Sequence, residues 1–165
     1  MRSSTSNSTA NLLRRNTHIV KQLYPGLRQR DLAALRTLTR TLQLSVSQGE
    51  LLCLDGKWYV THAGLLRIAQ RRRCLGIRTV LEERVSDPAV GRWVFKATVY
   101  KSAHSKGFVG FGDAEPSNVS SLVRGAEMRV AETRAVNRAL RKAYGIGLCS
   151  VEELGSLAAP VENTR

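Results

Sequence analysis

The chain has 165 residues, 42% of them hydrophobic, which is enough for a packed core and is the length of one domain. Lys and Arg number 26 against 13 Asp and Glu, a formal charge of +13. Such an excess points to a polyanionic partner (nucleic acid, an anionic membrane surface or an acidic protein) and says nothing about fold. No segment has the apolar length of a membrane span, so no membrane association of that kind is expected. Cys53, Cys74 and Cys149 lie far apart with no CxxC pair, which argues against a disulfide framework or a zinc module and for reduced thiols.

Residues 1–10 are rich in Ser, Thr and Asn and are expected to be disordered. No Asp or Glu precedes Asp31, whereas Arg2, Arg14, Arg15, Lys21, Arg28 and Arg30 do. That composition suits either an organellar transit peptide or a basic arm that seeks nucleic acid. Residues 11–48 are expected to form an N-terminal helical segment. Its first helix covers 11–24, with Leu12, Ile19, Val20 and Leu23 as apolar positions, and stops at Pro25-Gly26. Its second covers 31–44, with Leu32, Leu35, Leu38 and Leu42 at helical spacing and Asp31 in the first turn.

Residues 50–60 read as a hairpin that turns at Asp55-Gly56, because this dipeptide accepts the positive φ angles of a tight turn. Residues 62–74 return to helix and end in Arg71, Arg72 and Arg73, where cations suit a helix C-terminus. Three strands are expected next, over 77–85, 92–102 and 107–113. In the middle one Trp93, Phe95, Ala97 and Val99 alternate with Arg92, Lys96, Thr98 and Tyr100. The connections are short, so the strands form an antiparallel meander. A long helix follows, with Ser117 or Asn118 as N-cap, running to about Ala143 and ending at Gly145 and Gly147. Residues 155–165 are expected to be a flexible tail. The fold class is therefore α+β: an antiparallel three-stranded meander plus a long helix, preceded by N-terminal helices.

At 100° per residue, Leu122, Ala126, Val130, Thr133, Val136, Leu140 and Tyr144 share one arc of the long helix and are expected to pack on the sheet. Arg134, Arg138 and Arg141 form a separate stripe beside Ala131, low enough for phosphates to approach. Arg124 and Lys142 flank it, and of the nearby acids only Glu127 lies along it. Arg71, Arg72, Arg73, Arg92 and Lys96 add cations from other elements. These eight residues, with Arg134, Arg138 and Arg141 at the centre, are the candidate contacts to a nucleic acid. Stacking aromatics would complete a single-strand site. Most of the aromatics lie on strands and are expected in the core, with Tyr100 the best candidate platform.

Gly91-Arg92-Trp93, Gly110-Phe111-Gly112, Asn137-Arg138-Ala139-Leu140-Arg141 and Tyr144-Gly145 occur in that order. Together with the order of elements they resemble the Rad52 family of single-strand annealing proteins, over about residues 50–153. The resemblance implies a β-β-β-α core, here residues 49–154, that assembles into homo-oligomeric rings. It implies sequence-independent binding of single-stranded DNA in a basic groove around the ring. Complementary strands would be annealed there without ATP, in DNA repair and homologous recombination. The family's basic pair in the long helix falls on Arg138 and Arg141, and the basic residue opening its second meander strand falls on Arg92. Asn137 stands where the family has lysine, and Asn118 lies near the place of another family lysine. An inner DNA groove is thus implied, and a second outer site is not. A recombinase or a single-strand-binding protein is the implied protein partner, although the family's C-terminal recruiting region has no room in this chain. The cytoplasm or nucleoid is the implied location, with an organellar matrix the alternative if the N-terminus is a transit peptide.

The chain has no GxxxxGK phosphate loop, no HExxH, and three isolated histidines, His18, His62 and His104. No catalytic residue, metal or cofactor is expected, and the chain reads as a non-enzyme. Two other readings stand beside annealing. One is a metal-dependent nuclease using Asp113 and Glu115, although acids before a helix more often face its dipole. The other is a general RNA-binding basic domain. Glu82-Glu83 and Glu152-Glu153 are adjacent in sequence, so in regular structure each pair points apart.

Overall fold

A computed structural model of the chain describes residues 3–155. They divide into two compact units, the first ending at Arg72 and the second starting at Arg73. The boundary expected near residue 48 is thus displaced: the hairpin and the third helix group with the N-terminal helices. Four α-helices and two small antiparallel sheets are present among the described residues, so the fold is α+β. No helix among them is long and apolar enough to cross a membrane.

The first unit contains α1 (Ser3–Leu23), α2 (Gln29–Leu42), β1 (Leu51–Leu54), β2 (Lys57–Val60) and α3 (His62–Arg71). The Ser/Thr/Asn-rich run expected to be disordered is helical from Ser3. It contains no Pro or Gly, and each residue added to an existing helix gains one hydrogen bond. Met1, Arg2 and residues 156–165 of the expected tail lie outside the described residues. In the hairpin, Leu54 pairs with Lys57 across Asp55 (φ 49°) and Gly56 (φ 73°), the two positive φ angles a two-residue turn needs. Val20, Leu35, Leu44, Leu51, Val60 and Leu65 are fully buried and make the core of this unit. Buried Asn16 ties α1 to the end of α2, donating to Thr39 Oγ1 and the Leu44 carbonyl and accepting from Val46 N–H. α3 stops at Arg71, short of the expected Cys74, because Arg73 takes a left-handed φ of 53°.

The second unit contains β3 (Gly76–Leu81), β4 (Trp93–Tyr100), β5 (Phe108–Ala114) and α4 (Glu127–Tyr144). The strands form the expected antiparallel meander in the order β3-β4-β5. β3 ends at Leu81 and not at 85. The Glu82 carbonyl accepts from both Val85 and Ser86 N–H, which winds the chain into a 3-10 turn. α4 starts later than expected. Ser120 caps only a short 3-10 turn (Ser121–Val123), Gly125 takes φ 88°, and the helix begins beyond it without a side-chain cap. Leu122, expected on the sheet, is 93% exposed.

The buried face of α4 is shifted from the one its large apolar residues mark: Val136 and Leu140 are buried as expected, whereas Leu122 is not and an alanine stripe takes part instead. Ala131, Ala135 and Ala139 are fully buried against β5, joined by Val136, Leu140 and Ala143. The cause lies on the strand. A Cβ on Gly110 would stand 2.6 Å from the Ala135 oxygen, and one on Gly112 would overlap the Ala131 oxygen and the Ala135 nitrogen. With both positions Gly and the facing helix residues Ala, backbone rests on backbone. Phe95, Ala97, Val99 and Ala114 complete the buried layer on the sheet side.

Candidate nucleic-acid interface

Residues four apart on an α-helix rise about 6 Å, and alternate residues of a strand about 6.8 Å. Arg134, Arg138 and Lys142 on α4 therefore keep step with Asp113, Phe111 and Val109 on β5, the edge strand beside the helix. Each cation donates to one outward carbonyl. Arg134 Nη1 lies 2.8 Å from the Asp113 oxygen, Arg138 Nη1 2.7 Å from that of Phe111, and Lys142 Nζ 2.8 Å from that of Val109. This basic ladder satisfies the carbonyls of a sheet edge and discourages a further strand from pairing there.

The three cations differ in what they have left to offer. Arg134 is 4% exposed and makes five hydrogen bonds. Besides Asp113 its partners are the carbonyls of Asn118, Glu152 and Leu154 and the Asn118 side chain. Burial lowers its pKa from the usual arginine value, with nearby Asp113 acting the other way. The expectation that Arg134 contacts phosphate is thus corrected. Its donors are used internally, and it clamps the 113–118 segment and the C-terminal turn onto α4. Ala131, expected to leave a low surface for phosphates, instead admits the strand.

Arg138 and Arg141 remain partly exposed, and both reach Glu153. Glu153 Oε2 lies 3.3 Å from Arg138 Nε and 2.8 Å from Arg141 Nη1, and Oε1 lies 2.9 Å from Arg141 Nη1. Arg138 also stands 3.4 Å from Asp113 Oδ1. Glu153 is delivered by a 3-10 turn (Val151–Glu153) with a capping box, in which Ser150 N–H and Oγ–H donate to Glu153 Oε1. Fully buried Asn137 holds that turn, donating to Ser150 Oγ at 2.9 Å and Glu152 Oε2 at 3.0 Å. Asn137 therefore has a packing role. Glu152 and Glu153 do serve different partners. The sequence reading missed Glu153, although Ser150 and Glu153 stand at capping-box spacing.

Arg138, Arg141 and Lys142 line one open depression of about 350 Å³, floored by Gly145, Ile146 and Gly147. It lies at the C-terminus of α4, where the helix dipole favours the cations themselves and offers an anion nothing. Any affinity for phosphate there rests on the side chains.

The other expected contacts lie on other elements, Arg71 and Arg72 in the first unit and Arg73, Arg92 and Lys96 in the second. The Arg71 guanidinium caps α2, donating to the Gln43 and Leu42 carbonyls at 2.9 and 2.5 Å, so it too is partly a structural group. Arg72, Arg73 and Arg92 are exposed. Lys96 and Tyr100 are half-buried on the sheet face away from α4. Phe111, expected in the core, is 49% exposed on that same face. Its neighbours Gly110 and Gly112 face the helix, and alternation then sends Phe111 outward; this signal was readable in the sequence. The carboxylates of the nuclease reading are engaged as well. Asp113 accepts from Arg138 and Asn118, and Glu115 from Ser117 Oγ at 2.6 Å. No three His, Cys, Asp or Glu side chains gather to hold a metal among the described residues. Glu127 does not pair the arginines. It accepts the Gly125 N–H and its own N–H at the start of α4, and these bonds hold its carboxyl below the usual glutamate range.

No protein-family model, curated protein or solved structure matches the chain.

Proposed function

We propose that the chain binds single-stranded DNA without sequence preference and anneals complementary strands without nucleotide hydrolysis, as a Rad52-like oligomeric ring in DNA repair and recombination. The observation that carries this reading is the convergence of Arg138, Arg141 and Lys142 on one open depression in a chain of net charge +13. The β-β-β-α order and the close packing of Gly110 and Gly112 under α4 agree with the core that the sequence motifs imply.

Two single strands repel each other through their phosphates. Guanidinium and ammonium groups neutralise that charge whatever the base sequence, and pairing of the bases supplies both specificity and free energy. No step needs ATP. A closed ring requires a heterologous interface, in which one surface of a copy meets a different surface of the next.

The test is the binding of an oligothymidylate by wild type and by Arg138→Ala/Arg141→Ala across a salt series. The double variant should bind more weakly, with the slope of log affinity against log salt reduced by about 2. An unchanged affinity and slope would remove the depression from the interface.

A further inference from the structure

The sheet face opposite α4, which holds the candidate contacts Lys96 and Tyr100, carries a further aromatic and cationic pattern outside the depression lined by Arg138, Arg141 and Lys142. Register places side chains in rows across the strands. Val80, Lys96 and Phe111 make one row, and Arg78, Thr98 and Val109 the next. Each row runs to a cation at the β5 edge, the first to Arg138 through the Phe111 carbonyl and the second to Lys142 through that of Val109. Phe111 is 49% and Val80 44% exposed, with Lys96 directly across from both. Asp113 is the sole acid among the paired residues of this face, and Arg138 and Asn118 already occupy it.

We propose that Phe111 is a base-stacking platform for a single-stranded polynucleotide whose phosphates pass over Lys96 and Arg138. The inference rests on the single-strand binding proposed above and adds the surface that meets the bases. A ring half-exposed between two cations is matched to a ligand that is flat, apolar on its faces and anionic along its backbone. The surplus of positive charge on the face and its edge favours a polyanion over an uncharged protein partner. Rows of a sheet lie about 6.8 Å apart, twice the 3.4 Å rise of a stacked nucleic-acid strand. Bases that occupy successive rows must therefore be drawn apart from one another, so the face selects an extended single strand over a duplex.

The test compares an oligothymidylate with an abasic oligonucleotide of equal length, by fluorescence anisotropy, on wild type and on Phe111→Ala, Phe111→Leu and Phe111→Trp. Phe111→Leu keeps an apolar side chain at this surface position and removes only the ring. Wild type should bind the base-bearing strand about tenfold more tightly than the abasic one. Phe111→Ala and Phe111→Leu should lose that preference and bind the abasic strand as wild type does. Phe111→Trp should retain the preference, with its indole fluorescence quenched by the base-bearing strand. Equal binding of both strands by wild type, or leucine and alanine variants that keep the preference, would overturn the platform while leaving single-strand binding in place. Failure of wild type to bind either strand would overturn both.

Discussion

Arg134 and Arg138 lie one turn apart on α4 and look equivalent in the sequence, yet the structure gives them opposite consequences on mutation. Arg134→Ala removes a buried guanidinium from five acceptors: the carbonyls of Asp113, Asn118, Glu152 and Leu154 and the Asn118 side chain. Hydrogen bonds to a charged group are each worth about 1.5–3 kcal/mol, but five that share one side chain are not additive. Water reaches some of the acceptors once the side chain is gone, so a loss of about 3 kcal/mol is a reasonable expectation. For a chain of this size that corresponds to a fall in Tm of roughly 6–12 °C. Urea unfolding followed by circular dichroism measures it, and Arg138→Ala, at a partly exposed site, should lose far less. Below its melting transition, Arg134→Ala should bind an oligothymidylate as wild type does. A variant of wild-type stability with weakened binding would refute the reasoning and return Arg134 to the interface.

Gly112→Ala places a methyl group against the Ala131 carbonyl and the Ala135 nitrogen, neither of which can turn aside. Helix and sheet must separate, and overpacking of this kind costs about 1–3 kcal/mol, so a Tm unchanged within error would contradict the close backbone approach. Folding holds the Glu127 carboxyl below its ordinary 4.5, chiefly through the Gly125 N–H. A depressed carboxylate pKa adds stability above the unfolded value and loses it as pH falls through the folded one. Wild type should thus lose stability below about pH 4.5, and Glu127→Gln should lose less over the same range in urea titrations at successive pH values. Asp31 follows the same sign: burial raises its pKa, but the Arg28 hydrogen bond and the charges of Arg28 and Arg30 outweigh that and leave it lowered.

The meander, the hairpin and the helical segments were legible because alternation, Asp-Gly and Leu spacing act over a few residues. The seat of α4 was not. A helical plot ranks faces by hydrophobicity and marks Leu122, Val130 and Leu140. The face that packs is set by two glycines on β5 that seat Ala131, Ala135 and Ala139, with Val136 and Leu140, which the plot did mark, buried alongside. Arginine periodicity likewise marks Arg134 as outward, whereas the loop after β5 and the turn after α4 fold over it. Glu153 pairs with Arg138 and Arg141 across a sequence gap that no helical plot spans, and only the capping-box spacing from Ser150 hinted at its turn. At the candidate site Arg138 and Arg141 stay partly exposed beside Lys142. What was missed is how much of the basic ladder holds the edge of the sheet.

The most direct measurement is the rate at which two complementary oligonucleotides, labelled as a fluorescence-transfer pair, anneal with and without the protein in the absence of any nucleotide. The account predicts a clear acceleration over the protein-free rate that ATP does not increase and that Arg138→Ala/Arg141→Ala reduces. Strands that anneal no faster with the protein than without it, at concentrations where they are bound, would contradict it.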